Sequence, residues 1–327
     1  MDDLPRFRLF DGVSPFHALP RLSAALGHDV EIWIKREDLL PLAFGGNKLR
    51  NLEFLVGAAL AEGADTLITS GRRWSNHARL TAAAGAKAGM TVDLVLSGPP
   101  ASETGPGIRL ATALGATVHQ LPTADRAARD AAVDEVAAAV CAAGHHPYVI
   151  GVGGSGAIGA WGQVLAGREA FAQAAAADVP IDRIVLPSAT GGTQAGLIVA
   201  AAGVSPSTRV HGVVVARPAE ELRPAIAAMT AALAPADTTA GTTADVARDI
   251  ELDETQLGEG YGRRTAAADA ATELLARTEG LLVDPIYTAK ALAGLVAGVR
   301  SGAWDGERIL FWHAGGLPGL FESLDQA

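Results

Sequence analysis

The sequence predicts an α/β protein with mostly parallel sheets. Short apolar runs typical of buried strands alternate with longer alanine-rich segments that have helical periodicity. Parallel strands require a crossover connection, and the alanine-rich segments supply it. A chain of 327 residues is also longer than one hydrophobic core comfortably serves, so we expect two lobes with a ligand cleft between them.

The predicted strands are apolar runs that are each followed by a turn or a helical segment. They lie at 31–35, 66–69, 91–96, 117–121, 148–152, 183–186, 209–215 and 308–312. The clearest helical crossovers lie at 48–61, 78–88 and 194–202. Residues 232–246 are rich in alanine, threonine and proline and poor in large apolar side chains, which predicts a surface connection.

Composition and charge restrict the class of protein. Hydrophobic residues make up 49% of the chain and charged residues 19%, as in a soluble globular protein with a well-filled core. The net charge of -10 argues against nucleic-acid and anionic-membrane partners, which are held by clustered Lys and Arg. The chain has no run of about twenty apolar residues and no basic, apolar N-terminal signal. We therefore expect a cytoplasmic protein without a membrane span.

Several polar residues are interpreted as structural. Cys141 is the single cysteine, which excludes an intrachain disulfide, and its alanine-rich surroundings predict a buried helix. The adjacent His145 and His146 lie on a predicted loop and are interpreted as exposed, so no metal site is expected. The charged run at 35–38 follows a predicted strand, and we interpret it as an ion-paired structural anchor.

A lysine follows a glycine-rich turn at Gly45-Gly46-Asn47-Lys48. The amphipathic segment that begins at Leu49 places Lys48 in the first turn of a helix. The positive end of the helix dipole disfavours a protonated amine there and helps to supply the free base that imine chemistry needs. On this motif alone, a surface lysine after a turn is the alternative interpretation.

A second glycine-rich turn occupies residues 188–194, between a predicted strand and a predicted helix. Such a turn presents backbone N–H groups and the hydroxyls of Thr190 and Thr193 to a phosphate at the helix N-terminus. The segment lacks the lysine and the spacing of a P-loop. The motif alone also fits a simple connection, and it gains weight from its combination with Lys48.

Four segments occur in the order typical of one enzyme family: KREDLLPLAFGGNKLRNLEFL, SNHARLTAAAGAKAG, SATGGTQAGL and DPIYTAKALAGL. On these motifs, residues 9–321 resemble the D-cysteine desulfhydrase and 1-aminocyclopropane-1-carboxylate (ACC) deaminase family of pyridoxal 5'-phosphate (PLP) enzymes. The resemblance implies an α/β, two-domain, tryptophan-synthase-β-like fold (fold type II) with mostly parallel sheets. It also implies a large domain at 1–49 and 158–327, a small inserted domain at 50–157, PLP between them, and a homodimer.

The resemblance further implies the roles of individual residues. Lys48 matches the lysine that binds PLP as a Schiff base, and Asn47 stands beside it. Asn76 matches the residue that faces the ring hydroxyl of the cofactor, and Ser75 matches a serine that meets the substrate carboxylate. The other implied site residues are the phosphate-binding Ala189, Thr190, Gly191, Gly192 and Thr193, the active-site Tyr261 and Tyr287, and the substrate-binding His77. Trp74, which precedes Ser75, is also predicted to bind the substrate.

The implied reaction is β-elimination from a small amino acid, with D-cysteine as the first candidate. Lys48 is the expected base for the Cα proton, and the products would be pyruvate, ammonia and the released β-substituent. One set of alternatives is ACC deaminase-type ring opening, racemisation or β-replacement on a modified, anionic amino acid. Another is a non-catalytic protein that binds PLP or an amino acid. Pyruvate, 2-oxobutyrate and an inverted amino acid distinguish elimination, ring opening and racemisation.

The chain departs from the family pattern at three sites. Thr288 stands where deaminase-type members usually have Glu, so we expect a neutral partner for the pyridine nitrogen and favour the desulfhydrase branch. Ala314 stands where members commonly have Thr, which removes a hydroxyl near the ring. Arg72-Arg73-Trp74 replaces a small apolar pair and Gln beside the substrate. The two guanidiniums of this triplet predict either recognition of a second anionic group on the substrate or a reshaped entrance to the active site.

Overall fold

Two sheets organise the computed structural model, which describes residues 4–98, 104–234 and 250–322. The six-stranded sheet has the order β1-β2-β10-β7-β8-β9, and the four-stranded sheet has the order β5-β4-β3-β6. All neighbours pair in parallel except β1 with β2. The strands are β1 Phe16–Ala18, β2 Glu31–Arg36, β3 Thr66–Arg72, β4 Thr91–Ser97, β5 Thr117–Leu121, β6 Pro147–Ile150, β7 Arg183–Ser188, β8 Arg209–Val214, β9 Glu251–Asp253 and β10 Arg308–His313.

Helices cross over between the strands and cover the sheets. They are α1 Pro20–Leu26, α2 Lys48–Ala61, α3 Asn76–Ala88, α4 Pro106–Ala113, α5 Arg126–Ala142, α6 Ala157–Ala176, α7 Gly192–Val204, α8 Ala219–Leu233, α9 Ala266–Glu279 and α10 Thr288–Arg300. Within the described part of the chain, none of these helices has the length and apolarity needed to cross a bilayer.

The predicted α/β class and the predicted parallel strands are confirmed. The two strands that the sequence did not predict, β1 and β9, have three residues each and lie at opposite edges of the larger sheet. Edge strands this short have no apolar run to detect. The predicted strand at 148–152 ends earlier, at Ile150, because Gly153 has a φ of 72° inside a short 3₁₀ turn. The predicted connection at 232–246 begins in α8, and its residues from 235 onward lie outside the described ranges.

The prediction that Cys141 is buried is wrong. It lies in α5, but its side chain is exposed. The helix packs on the four-stranded sheet through Val133, Val136 and Val140, so the next residue points outward. These valines recur at helical spacing in an otherwise alanine-rich segment, a signal that the composition around Cys141 does not show by itself.

The polar core around α2 confirms the structural interpretation of residues 35–38. The Arg50 guanidinium donates to Glu37 at 2.9 and 3.0 Å and to Glu169 at 2.6 and 2.8 Å. The Lys35 amine also binds Glu169, at 2.5 Å. Arg36 pairs with Asp38 instead, through two bonds of 2.9 and 2.7 Å. These bonds fix the helix that begins at Lys48.

Parallel pairing collects several loops at the carboxyl ends of the strands. In the larger sheet β2, β10 and β7 are adjacent, so the segments 37–47, 314–316 and 189–191 that follow them lie side by side. In the smaller sheet β3 and β6 are adjacent, so the segments 73–75 and 151–156 that follow them also lie side by side. The two groups of loops meet where Ser155 contacts Thr190, with 2.6 Å between their hydroxyl oxygens. Ligands of parallel α/β proteins bind at such strand ends.

Candidate active site

The loop before Lys48 has an unusual backbone. Ala43, Phe44, Gly45 and Gly46 have φ values of 45°, 64°, 63° and 131°. A Cβ on Gly45 would lie 2.1 Å from the Asp38 carbonyl oxygen, so only glycine fits there. The loop is held by the buried Arg79 of α3, whose guanidinium donates to the Ala43 and Gly45 carbonyls. A strained loop that is held so firmly sets the direction in which α2 begins.

Lys48 is the first residue of α2, as the sequence predicted. Its side chain is partly buried, and burial lowers the pKa of its amine from 10.5 to about 8. The N-terminus of α2 acts in the same direction, because its dipole disfavours a positive charge. A large share of the amine is therefore neutral, and able to attack a carbonyl carbon, close to physiological pH.

His77 lies next to this amine and is neutral. Burial, with the Lys48 charge as a second cause, lowers the pKa of the imidazole from 6.5 to about 3. The Thr69 hydroxyl donates to the Ile150 carbonyl at 2.7 Å, so it accepts from His77 Nε2 at 3.0 Å. Nδ1 therefore carries a lone pair, and it is buried with no protein partner. A buried acceptor beside Lys48 is thus left for a bound ligand or water.

The predicted phosphate turn forms a cradle at the N-terminus of α7. Gly191 caps this helix with a φ of 86°, and no side chain caps its first turn. The first N–H groups of an α-helix lack intrahelical partners and attract anions. Asn47 donates to the Thr193 hydroxyl at 2.8 Å, which joins the start of α2 to the cradle. Ala189, which precedes Thr190, is partly buried against the core of the larger sheet.

Ser75 and Asn76 lie at the N-terminus of α3. Ser75 caps the helix by accepting from the Ala78 N–H at 3.2 Å. The Asn76 amide oxygen accepts from Arg79 at 3.3 Å, which directs its NH₂ group the other way. That nitrogen would be only 2.9 Å from a Cβ at residue 316, so Gly316 makes room for it. The side chain therefore presents a hydrogen-bond donor, as a ring hydroxyl or its anion would need.

Tyr261 and Tyr287 lie together, with their hydroxyls in hydrogen-bond contact. Burial is the main cause that raises the pKa of both phenols, so both are protonated at neutral pH. One hydroxyl hydrogen joins the pair, and the other is left for a third acceptor. Lys290 of α10 positions the loop that carries Tyr261 by donating to the carbonyls of Leu257 and Gly260 at 2.7 and 3.1 Å.

Thr288 is fully buried at the start of α10. Its hydroxyl contacts the Asp284 carboxylate and lies 3.0 Å from the Gly315 carbonyl oxygen. The single hydroxyl hydrogen is therefore used within the protein, and only lone pairs are left for a ligand. Asp284 also accepts the N–H groups of residues 286–288. At Ala314, the carbonyl oxygen accepts from the Asn47 N–H at 2.9 Å. That Thr288 faces the pyridine ring of the cofactor stays a prediction.

Trp74 and the two preceding arginines occupy different surroundings. Trp74 is buried against Ile286, Tyr261 and Tyr287. Arg73 is buried too, and its positive charge partly offsets the burial that raises the pKa of Glu322. Arg72 is half-buried, with its guanidinium carbon 5.9 Å from the centre of the Trp74 ring. The Arg73 guanidinium carbon lies 5.3 Å from the same ring, so both arginines flank Trp74. The Arg72 charge acts on the Tyr261 hydroxyl, which places Arg72 toward the tyrosine pair.

Sequence reasoning missed several residues that shape this site. Ser155 faces the phosphate turn through its contact with Thr190, and Gln163 donates to the Asn47 carbonyl at 2.8 Å. Arg79 holds the loop before Lys48, and Asp284 caps α10. Ser155 could have been noticed, because it stands in the glycine-rich run 153–156 after a predicted strand. Arg79 and Asp284 could also have been noticed, because they stand in two of the four family segments, whereas Gln163 lies in ordinary helical sequence.

The residues present fit PLP. The amine of Lys48 suits its aldehyde, the cradle at Gly191 and Gly192 suits its phosphate, and the Asn76 amide suits its ring hydroxyl. A Cβ on Gly192 would approach the Ser155 hydroxyl oxygen to 2.7 Å, and one on Gly153 would lie 2.8 Å from the Thr190 hydroxyl oxygen. These glycines therefore keep the cradle open.

The chain is similar in sequence and in structure to known proteins over nearly its full length. Residues 7–315 match the family described as pyridoxal-phosphate dependent enzymes. D-cysteine desulfhydrase from Yersinia pestis (strain Pestoides F) is 41% identical, with 98% of this chain and 96% of that protein covered. The enzyme of the same name from Klebsiella pneumoniae (strain 342) is 42% identical, with 97% and 95% covered. The crystal structure of an ACC deaminase homologue matches with a TM-score of 0.87 at 33% identity, with 98% and 94% covered.

Proposed function

Because the chain belongs to the family of pyridoxal-phosphate dependent enzymes, we propose that it is a D-cysteine desulfhydrase whose PLP is held by Lys48. Its cofactor is PLP, its fold is fold type II, and its reaction class is β-elimination by a carbon–sulfur lyase. D-cysteine is proposed as substrate because relatives of that name share 41–42% of the sequence. The observation that carries the site is the Asn47–Thr193 bond of 2.8 Å, which joins the low-pKa lysine to the phosphate cradle.

When bound, PLP withdraws electrons from the Cα of an attached amino acid. The protein must then hold the carboxylate, accept a proton and exclude water. We propose that Lys48 accepts the Cα proton, since a neutral amine of pKa about 8 suits that task. The electron pair of the C–H bond becomes the Cα=Cβ double bond, and the Cβ–S pair leaves on sulfur. The enamine product is then hydrolysed. The overall reaction converts D-cysteine and water into pyruvate, ammonia and hydrogen sulfide.

Residues around Lys48 support binding and proton transfer. We propose that Ser75 and the backbone N–H groups that follow it, including that of His77, hold the substrate carboxylate at the positive end of α3. The tyrosine pair has one hydroxyl hydrogen to spare, which suits donation to the departing sulfur. Thr288 has no ionisable group, which agrees with chemistry that needs a good leaving group rather than the opening of a carbon ring.

The proposal is tested by product analysis on the PLP-loaded protein. D-cysteine should yield pyruvate, ammonia and sulfide in equal amounts, and ACC should yield no 2-oxobutyrate. L-cysteine and D-serine provide matched substrates that differ in configuration and in leaving group. If ACC is opened faster than D-cysteine is cleaved, or if D-cysteine is only inverted or replaced at Cβ, the proposed function is wrong.

The capture of PLP by the apo-protein should depend on pH through Lys48. The neutral amine attacks the aldehyde, so the rate should reach half its maximum near pH 8, the value to which burial lowers the pKa, and level off about one pH unit higher. Stopped-flow absorbance from about pH 6 to about pH 10 would measure it, with Nα-acetyl-lysine amide as the control amine. The control rate should still be rising at about pH 9. A protein profile that follows the control would show that Lys48 is not the attacking group.

We further propose a homodimer in the cytoplasm, with a large domain at 1–49 and 158–327 and a small domain at 50–157. Exposed Phe44, Leu282 and Phe321 help to line an apolar groove of about 880 Å³, and such surfaces are often covered in oligomers. Light scattering of the PLP-loaded protein would measure the mass, and a monomer at micromolar concentration would contradict the dimer.

A further inference from the structure

Two buried hydrogen-bond donors beside the proposed active site have no acceptor among the residues that the structure describes. They are Nη1 of Arg72 and Nε1 of Trp74, both inaccessible to solvent and without a hydrogen-bond partner. Trp74 is only 4% exposed, and Arg72 is half-buried. A buried donor that lacks an acceptor is destabilising, and more so when it is charged. Such groups are usually paired, so these two point to an acceptor that the described residues do not supply.

Both donors act on the same phenol. The Arg72 charge and the Trp74 N–H each favour the ionised form of Tyr261, which opposes the effect of burial on the pKa of that hydroxyl. The Trp74 N–H lies near this hydroxyl but outside hydrogen-bond geometry. The two rings have their centres 5.9 Å apart. Since Tyr261 also contacts Tyr287, the donors lie beside the pair that the proposed mechanism uses.

The charge around Arg72 is positive. Within the described ranges, Arg73 and Arg129 are the charged side chains that act on its guanidinium, and both lower its pKa together with burial. The Trp74 ring, 5.9 Å away, offers only its face to the cation. Arg73 differs, because Glu322 lies within the reach of its charge. A guanidinium with positive neighbours and a buried, unpaired N–H is suited to an anion from the ligand.

On the premise of the proposed function, we propose that Arg72, Trp74 and Tyr261 bind a second anionic group on the substrate. The substrate class is then an α-amino acid whose β-substituent is itself anionic, such as a sulfonate. For cysteate the same step applies: Lys48 takes the Cα proton, the C–H pair forms the double bond, and the Cβ–S pair leaves with the sulfonate as sulfite. Water completes the sum to pyruvate, ammonia and sulfite, and no oxidant is needed.

The test compares ligands that differ in the second charge. Dissociation constants of D-cysteate, L-cysteate and neutral D-alanine are measured by stopped-flow absorbance of the cofactor, before turnover begins, on the PLP-loaded wild type and its variants. Arg72→Gln should weaken cysteate about tenfold more than it weakens D-alanine, and Arg72→Lys should recover part of that loss. Trp74→Phe keeps an aromatic ring but removes the N–H. It should weaken the binding of cysteate about fivefold more than the binding of D-alanine. Arg300→Gln removes an equal charge at the far end of α10 and should leave both constants unchanged.

The outcomes also separate this inference from the proposed function. A wild type that binds D-alanine more tightly than either cysteate, or an Arg72→Gln loss that is equal for charged and neutral ligands, would overturn the anion site. Pyruvate formation from D-cysteine is measured in the same preparations. If D-cysteine gives no pyruvate while the charge-selective loss persists, only the proposed D-cysteine activity fails and the anion site stands.

Discussion

Replacement of Lys48 by alanine should lower the rate of pyruvate formation about a thousandfold or more. The same amine is proposed to hold PLP and to accept the Cα proton, so both functions are lost together. The chain contains four lysines, so few groups compete with Lys48. The amines of Lys35 and Lys290 are bonded within the protein, and Lys87 lies at the end of α3 with its amine on the Leu9 carbonyl.

The assignment of Lys48 is checked by chemical labelling as well as by rate. Borohydride reduction of the yellow, PLP-loaded protein should fix the cofactor on the peptide that contains Lys48. Lys87→Ala is the matched control, because it removes an exposed lysine and should keep the absorbance and the rate. Labelling of Lys87 or Lys290, or a Lys48→Ala protein with more than about a tenth of the wild-type rate, would show that another group holds PLP.

Arg50→Met should lower the free energy of unfolding by about 3 to 5 kcal/mol. The Arg50 guanidinium makes four bonds to carboxylates, two to Glu37 and two to Glu169. Its removal leaves Glu37, which is fully buried, without its cation, and leaves Glu169 with Lys35 alone. Urea denaturation of the apo-protein measures the loss. Because Arg50 lies two residues after Lys48, PLP occupancy should fall as well.

Arg277→Met is the control for the stability measurement. Arg277 and Glu273 form an exposed pair one turn apart on α9, and such pairs contribute about 0.5 kcal/mol or less. The contrast between the two arginines tests whether burial, rather than pairing itself, makes the Arg50 cluster important. Equal losses in both variants, or an Arg50→Met protein as stable as the wild type, would show that the buried cluster does not stabilise α2.

The sequence alone was sufficient for the features that depend on local pattern. The long apolar strands, the start of α2 at Lys48 and the strand-turn-helix at 188–194 are all encoded within a few neighbouring residues. Parallel pairing then follows from the helical crossovers between the strands. The family resemblance supplied the rest of the proposed site, because its motifs are short, ordered and close to the chemistry.

Only the tertiary structure decided which distant groups meet. The Ser155–Thr190 contact joins residues 35 positions apart, and the Asn47–Thr193 bond joins residues 146 positions apart. The surroundings of a side chain were equally hidden, because Arg72 lies toward the tyrosine pair while its neighbour Arg73 is within reach of Glu322. Local pattern determines which elements form, whereas the packing of sheets and loops determines the surroundings, and hence the charge and protonation, of each side chain.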